Sequence, residues 1–302
     1  MTEGVLAAVA TYLINGLAAV GPILLVAVGL TTVLSAVRAI NVAVGIILAF
    51  GGFASIWAAD HFGATMAVLA AIMVPVGLAV VIEIAVLRPQ RSRVHDVEIA
   101  SFAATLGVSI VLTAIAANAT NSAVVALPPT VLLVRQVLQV DNYSVPVLAL
   151  ITFAVAATST AGLAWFLHNT SHGRLHRALA ADANLARTIG ARVDLIAIEA
   201  AALSGLLVGL AALLVVLQLR DLDLDTASNY LLLPFAAVIL GGLGSLRGTV
   251  GAAFFFGFVQ ATLVNFTGNP AVQDVITFGL LFVLLTIRPQ GLVGQMLRTR
   301  EY

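Results

Sequence analysis

The sequence contains no cysteine and no lysine, and charged residues make up only 9% of its 302 positions. Without cysteine, neither a disulfide nor a thiolate metal site can form. A soluble domain carries about 25% charged residues, so the shortage of charge excludes a water-soluble globular protein. Arginines and acidic residues balance at 14 each, so the net charge says nothing about acidic or nucleic-acid partners. For a chain of this membrane class we expect no nucleic-acid partner.

Motifs for nucleotide binding and catalysis are also absent. The chain has no GxxxxGK[ST] motif, so it cannot bind ATP by that route. It has no HExxH motif, and neither a Ser–His arrangement nor paired aspartates on facing spans are evident. We therefore expect no enzymatic activity, no catalytic residue and no bound cofactor or metal in this chain.

Long apolar runs dominate what is present, since hydrophobic residues form 61% of the chain. About 20 apolar residues span the hydrocarbon core of a bilayer. The runs therefore predict an all-α polytopic membrane protein with about 8–9 transmembrane or re-entrant helices. The predicted segments are 12–37, 42–59, 64–87, 99–117, 145–167, 194–217, 230–246, 249–266 and 272–288. The second and seventh are short enough to be re-entrant or broken.

The distribution of arginine predicts the orientation, because arginine-rich short loops stay on the cytoplasmic side. Three arginine-rich intervals each follow an odd-numbered segment: 88–96, 168–193 and the tail from 288 onward. The intervals 118–144 and 218–229 carry one arginine each, and the latter also carries three aspartates. We expect an outside N-terminus, a cytoplasmic C-terminus and one transmembrane domain over residues 1–302.

The stretch 239–251, ILGGLGSLRGTVG, places five glycines between two apolar segments. Gly244 and Gly248 form a GxxxG pair, a pattern typical of close helix packing in lipid. Glycine also permits a tight turn with positive φ. Irregular backbone at membrane depth needs surrounding protein or a water-filled path. The stretch is therefore either a packed junction beside a cavity or simple helix packing without a substrate role.

A second break lies at residues 38–45, RAINVAVG, where Arg38 and Asn41 separate two apolar runs. Polar groups at this depth are satisfied by neighbouring groups or by water in a pathway. In the simpler interpretation, Arg38 caps the cytoplasmic end of the first span. Asn41 is then an ordinary N-cap for the next helix.

The polar stretch 171–194, SHGRLHRALAADANLARTIGARVD, predicts two short helices. One covers 174–181, and the other is capped by Asp182 and ends before Gly190. Such an amphipathic pair fits either a groove on another protein or the lipid surface. Histidines at 168, 172 and 176 fall on one helix face, but an intervening glycine and the lack of an evident carboxylate partner argue against a metal site.

Four blocks of the sequence together resemble the permease subunits of branched-chain amino-acid ABC importers, in particular the LivH-like member. The resemblance covers nearly all of the chain, and the last two blocks are specific in combination. The blocks are 29–45, then 82–93 with 104–112, then 173–194, and finally 233–252 with 284–294.

The resemblance implies a type II ABC-importer permease fold in a bacterial inner membrane. It implies four kinds of partner: a second, LivM-like permease subunit, two ATPase subunits that consume ATP, an extracytoplasmic substrate-binding protein and membrane lipid. The intervals 118–144 and 218–229 would face the binding protein. Val42 and Val44 depart from the family pattern, which leaves the cargo open among branched-chain amino acids, amides, urea and other carboxylates.

Site residues follow from the resemblance at matching positions. The residues expected to couple the chain to the ATPases are Arg174, Arg177, Ala178, Asp182, Ala186, Arg187 and Gly190. Those expected in the translocation path or its packing are Asn41, Gly45, Gly241, Gly242, Gly244 and Gly248.

Two acidic residues, Glu83 and Glu199, lie inside predicted spans. We expect both at the membrane rim, paired or reaching toward the interface, with Arg88 the partner nearest in sequence to Glu83. The alternative function is an ion-coupled secondary transporter or channel for a small solute. That alternative would need ionisable residues at mid-depth, and few candidates exist.

Overall fold

The computed structural model describes residues 2–91, 96–128, 137–140, 143–181, 186 and 192–267, together with 275–276, 279, 282–283 and 286. Its α-helices are α1 Thr2–Val37, α2 Val44–Phe62, α3 Ala64–Ile82, α4 Arg88–Arg91, α5 Val97–Thr120, α6 Val147–Asn169, α7 Ser171–Ala181, α8 Val193–Leu219, α9 Leu224–Gly241 and α10 Leu246–Thr267. A π-helical turn, Glu83–Leu87, joins α3 to α4. The strands are β1 Val125–Ala126, β2 Val137–Val140, β3 Tyr143–Pro146 and β4 Asp221–Leu222.

Seven helices in the described part of the chain are long and apolar enough to cross a membrane. They match seven of the predicted segments to within about four residues. The predicted segment 230–246 is a shorter apolar helix, Tyr230–Gly241, within α9. Most of the predicted segment 272–288 lies outside the described residues. The all-α polytopic fold is therefore confirmed.

Two predicted loops are partly helical. The third span continues from α3 through the π-helical turn into α4. Residues 88–91 of the predicted loop 88–96 are therefore helical. The predicted loop 218–229 is helical from Leu224 onward. In the first of these places Arg88 and Arg91 lie on a helix rather than in a loop, and patterns of hydropathy do not detect such a polar helix end.

Helix α1 forms the centre of the bundle, where it contacts α6, α8, α9 and α10. Helix α8 packs on its other side against α2 and α3. Helix α5 is largely exposed, and its buried residues are Ser101, Thr105 and Ala116. The exposed helices carry large apolar side chains outward, as expected of helices that face lipid.

A GxxxG pair on α8, which the sequence pattern did not single out, brings α8 close to α3. A Cβ atom on Gly205 would lie 2.7 Å from the Cα of Val76, and one on Gly209 would lie 2.6 Å from the carbonyl oxygen of Ala71. Pro75 lies between these α3 positions and has no N–H with which to bond Ala71. Glycine therefore lets α8 approach α3 at its proline.

Contacts between helix ends place seven arginines at one end of the bundle. Arg88 on α4 pairs with Asp194 on α8, and Ile40 after α1 bonds Ser101 on α5. A Cβ on Gly244, between α9 and α10, would lie 3.8 Å from Ser35 on α1. We call this the arginine-rich end; its arginines are Arg38, Arg88, Arg91, Arg174, Arg177, Arg192 and Arg247.

At the opposite end, β1 and β4 pair antiparallel, with Val125 opposite Leu222 and Ala126 opposite Asp221. This pairing joins one short segment of each predicted outer interval, 118–144 and 218–229. The side chain of Leu222 is buried with Ile56 of α2 and with residues of α8. In the part of the intervals that the structure describes, β1 and β4 therefore form a packed cap on the helices.

Candidate functional site

Helix α7 begins at a sharp turn after α6. Thr170 caps it, because the Thr170 hydroxyl accepts a hydrogen bond from the backbone N–H of Gly173 at 3.0 Å. A Cβ on Gly173 would overlap the carbonyl oxygens of Phe166 and Leu167. Glycine is therefore required where α6 turns into α7. The helix predicted over 174–181 starts three residues earlier, at Ser171.

The inner face of α7 is buried and contacts one carboxylate. Gly173, His176 and Leu179 are its buried residues. The Nδ1 atom of His172 lies 3.1 Å from Oε2 of Glu199, and the Nε2 atom of His176 lies 3.6 Å from the same oxygen. Glu199 belongs to α8, so this contact, which we call the Glu199 clasp (His172, His176 and Glu199), ties α7 to a membrane span.

The clasp corrects one expectation. The sequence offered no evident carboxylate for the histidines, yet Glu199 of another helix lies within hydrogen-bond distance of His172 and in closer electrostatic contact than any other acid with His176, whose Nε2 makes no hydrogen bond to the described residues. His168 lies on α6, before the turn at Thr170, and takes no part. No group of three ligands suited to a metal occurs among the described residues.

Burial decides the charge of the inner histidine. His176 is only 4% exposed, and its ring meets that of Phe166 edge to face at 6.4 Å. Burial lowers the pKa of His176, while the Glu199 carboxylate partly opposes this shift. His176 is therefore neutral near pH 7, and an imidazole–carboxylate contact rather than an ion pair joins it to Glu199.

The outer face of α7 remains open to solvent and carries part of the expected coupling set. Arg174 is exposed, and the side chain of Leu175 is 37% exposed. Arg177 is exposed but donates a hydrogen bond to the carbonyl of Leu167 at the end of α6. That bond satisfies a terminal carbonyl of α6, so Arg177 also stabilises the turn.

The rest of the expected coupling set divides between buried and undescribed positions. Ala178 is partly buried, and Ala186 is 1% exposed. Asp182, Arg187 and Gly190 lie outside the described residues, as does most of the predicted second helix. Their coupling roles remain predictions.

An ion network joins the third span to α8 beside the Glu199 clasp. Glu83 is fully buried and pairs with Arg91 at 2.5 Å, rather than with Arg88. Arg88 instead contacts Asp194 through both Nη2, at 2.9 Å, and Nε, at 3.0 Å. Glu83 and Glu199 are therefore both paired, as expected, although Arg88 is not the partner of Glu83. Their position at the membrane rim remains a prediction.

The break after α1 is held by two hydroxyl groups on α5. The backbone N–H of Ile40 donates to Ser101 Oγ, and that of Val42 donates to Thr105 Oγ1, each at 3.0 Å. Both hydroxyl residues are fully buried. Backbone donors freed by the break are thus satisfied in an apolar setting. The spacing of Ser101 and Thr105, one helical turn within an apolar run, was the available sequence signal for them.

Asn41 forms a local cap within this break. It is 5% exposed, and its Oδ1 accepts a hydrogen bond from the backbone N–H of Ala43 at 3.0 Å. Gly45 is buried in the first turn of α2. Arg38 is exposed and has φ 53°. The N-cap interpretation of Asn41 is therefore wrong: the N-cap position of α2 is Ala43, and Asn41 instead accepts a hydrogen bond two residues along the chain within the break.

The glycine stretch forms the turn between α9 and α10. Gly242 has φ 96° and Gly244 has φ 82°, conformations that favour glycine. A Cβ on Gly241 would overlap the backbone of Gly248 and of the residue after it. Ser245 then caps α10 by accepting a hydrogen bond from the Gly248 N–H at 3.2 Å.

The predicted GxxxG pair is therefore wrong as a helix-packing motif. Gly244 lies in the turn itself, and the close approach is between Gly241 and Gly248, the last turn of α9 against the first turn of α10. A hydrogen bond attaches the start of α10 to α1: the hydroxyl oxygens of Thr249 on α10 and Thr31 on α1 lie 2.9 Å apart. Both breaks thus lie at the arginine-rich end, and their role in a pathway remains a prediction.

The family model described as "Branched-chain amino acid transport system / permease component" matches residues 12–285. The high-affinity branched-chain amino acid transport system permease protein BraD of Pseudomonas aeruginosa is 27% identical over 146 residues, 48% of this chain and 47% of BraD. The autoinducer 2 import system permease protein LsrC of Yersinia pseudotuberculosis is 30% identical over 148 residues, 46% of this chain and 42% of LsrC.

A second LsrC, from Photorhabdus luminescens, is 33% identical over 130 residues, 41% of this chain and 39% of that protein. This chain therefore matches each of these relatives over less than half of their length. No solved structure matches the chain.

Proposed function

Because this chain belongs to the family of permease components of branched-chain amino acid transport systems, we propose that it is the translocation subunit of an ATP-driven importer that depends on a binding protein. Separate ATPase subunits supply the energy. The chain itself is not an enzyme, and it binds no nucleotide.

The exposed outer face of α7 is the observation that supports this proposal most. Arg174 and Leu175 are exposed on a short helix whose inner face is buried against the bundle. A charged and apolar surface on a rigidly held helix suits a groove on another protein. The ATPase subunits would bind there, and their closure would move α7.

Charge at the two ends supports the predicted orientation. The arginine-rich end carries seven of the described arginines, whereas the opposite end carries Arg220 together with Asp60, Asp221 and Asp223. The positive-inside rule then assigns the arginine-rich end, including α7, to the cytoplasm of a bacterial cell. The cap of β1 and β4 would face outward, toward the binding protein.

The partners and the cargo follow from the family. A second permease subunit would complete the translocation pathway, and the named relatives carry branched-chain amino acids or autoinducer 2. We propose a small amino acid or related compound as cargo. Calorimetric titration of the cognate binding protein with leucine, isoleucine, valine and autoinducer 2 identifies the cargo directly.

Reconstitution tests the proposal against its alternative, an ion-coupled transporter or channel. The complex is placed in proteoliposomes with the binding protein and the cargo found by titration. Uptake that requires both ATP and the ATPase subunits supports the proposal. Uptake by this chain alone, driven by a proton gradient, contradicts it. Within the described spans, Glu83 and Glu199 both lie at the arginine-rich end and are paired, which favours the first result.

A further inference from the structure

We infer that Glu199 is a positioning residue of the coupling machinery: through the clasp with His172 and His176, it transmits the movement of α7 to the membrane span α8. The inference rests on the proposed function, since it takes α7 as the element on which the ATPases act. It goes further by identifying the contact through which that action reaches the transmembrane bundle.

The geometry concentrates the polar connection between α7 and α8 in the Glu199 clasp. Two imidazole nitrogens one helical turn apart point to a single carboxylate oxygen, at 3.1 Å and 3.6 Å. The carboxylate is 30% exposed and His176 only 4%, so the clasp lies partly out of water. The hydrogen bond of the clasp is the one from His172, whose side chain is exposed, whereas the His176 ring makes a buried electrostatic contact at 3.6 Å. Electrostatic contacts are stronger at low local dielectric than at a fully exposed surface.

The contacts between α7 and α6 differ from the clasp because they lie within one continuous turn of the chain. Thr170, Gly173 and Arg177 fix α7 to the end of α6 through a cap, a close approach and a carbonyl contact. Those contacts hold a turn within one continuous stretch of chain. The clasp instead joins segments that are 23 to 27 residues apart in sequence.

Helix α8 is well placed to carry a displacement onward. Its Gly205 and Gly209 bring its backbone against α3 at Pro75, and it also contacts α1 and α2. Its far end reaches β4 of the outer cap. Because packed interiors transmit strain rather than absorb it, a displacement applied at Glu199 reaches the opposite end of the bundle.

Among the described residues, no charged group of the surrounding helices other than Glu199 is paired with His176. Asp194, one helical turn or so before Glu199, is paired with Arg88 and Arg91 of α4. Helix α1 has no titratable side chain between residues 13 and 37. On α6, the nearby His168 lies before the turn and is exposed.

The test uses the absence of native cysteine in this chain. Leu219, the last residue of α8, is 42% exposed at the end opposite the clasp. In the Leu219→Cys background, the complex with its ATPase subunits is labelled with a membrane-impermeant maleimide. The labelling rate of this chain is measured without nucleotide and after trapping with ATP and vanadate. This readout requires no knowledge of the cargo.

We expect trapping with ATP to change the labelling rate at Leu219→Cys in the otherwise native chain. Glu199→Gln should lose that change while the labelling rate without nucleotide and the ATPase content of the complex stay the same. Glu199→Asp, which keeps the carboxylate, should retain part of it. His168→Gln is the matched control and should behave as the native chain.

The His172→Gln, His176→Gln double variant tests the clasp from the other side and should also lose the response. An unchanged ATP response in Glu199→Gln, or in this double variant if Glu199→Gln does not assemble, overturns the inference and leaves the proposed function standing. Absence of any ATP response in the native background, or failure of the ATPases to bind, overturns the proposed function and the inference with it.

Discussion

The hydroxyl oxygen of Thr105 on α5 lies 3.0 Å from the backbone nitrogen of Val42, a residue 63 positions earlier in the break between α1 and α2. The same hydroxyl also lies 3.2 Å from the carbonyl oxygen of Ile40. The Thr105 hydroxyl therefore accepts the hydrogen bond that a backbone carbonyl would accept in an unbroken helix. The conformation of the break is therefore stabilised by its hydrogen bonds to α5.

Removal of this hydroxyl should destabilise the break. In Thr105→Val the Val42 N–H loses its acceptor in a buried setting, which costs about 1–3 kcal/mol in the free energy of unfolding. The thermal midpoint of the purified complex in detergent measures the loss. Thr113→Val, at an exposed position of the same helix, should leave the midpoint unchanged. Equal midpoints for the two variants would show that the Thr105 bond is not needed.

Substitution at Gly241 should be more disruptive than substitution at Gly251. Gly241→Ala forces the turn between α9 and α10 apart, because the new methyl group overlaps the backbone of Gly248, and we expect a loss of about 1–3 kcal/mol. A methyl group on Gly251 has open space in α10, and alanine there should be neutral or stabilising by up to about 1 kcal/mol.

Gly244→Ala should fall between these two. A methyl group there has room, 3.8 Å from Ser35, but φ 82° costs a residue with a Cβ about 1–2 kcal/mol. Detergent-stability midpoints rank the three variants. A ranking with Gly251→Ala as the least stable would contradict the turn geometry.

The stability of the bundle should fall as the pH drops below about 6.5, the usual pKa of histidine. Burial lowers the pKa of His176 in the folded protein. Below about 6.5 the unfolded chain therefore takes up a proton that the folded chain does not bind, until the pH reaches the lowered value. Glu199 and His172 are the charged or titratable groups that face His176.

Thermal midpoints at about pH 7.5 and about pH 5.5 measure this contribution, since the interval brackets the titration of an ordinary histidine. His176→Gln should reduce the difference between the two midpoints. His168→Gln, which alters an exposed histidine on α6, should not. A pH dependence that survives intact in His176→Gln would mean that other groups produce it.

The orientation is open to a direct labelling test. Asp60, whose side chain is 67% exposed at the end of α2, lies at the end of the bundle opposite Arg174. In intact cells, a membrane-impermeant maleimide should label Asp60→Cys, while Arg174→Cys should react only after the membrane is permeabilised. The reverse pattern would invert the topology.

The spans were predictable because a membrane imposes a length and a composition on them. The tight turn at Gly242 and Gly244 was also predictable, because dense glycine marks a backbone that L side chains avoid. The GxxxG spacing, however, selected Gly244 and Gly248, whereas the helix packing of this kind lies at Gly205 and Gly209. Spacing alone does not say which glycines face a neighbouring helix.

The polar contacts were less accessible from the sequence because they join distant segments. Glu199 meets histidines on another helix, and Glu83 pairs with Arg91 because the π-helical turn continues the span beyond Arg88. The bonds from Ser101 and Thr105 to the break depend on the path of α5 across the start of α2. Helix packing decides these partners, and no local pattern encodes it.

If the outer face of α7 binds the ATPase subunits, Leu175 lies at that interface and is the position at which binding is measured most directly. Because the chain has no cysteine, Leu175→Cys with a short bifunctional cross-linker reports a single position. We expect a cross-link to an ATPase subunit, with a yield that changes when ATP is bound. Reaction of this cysteine with a lipid-soluble probe, with no ATPase captured, would contradict it.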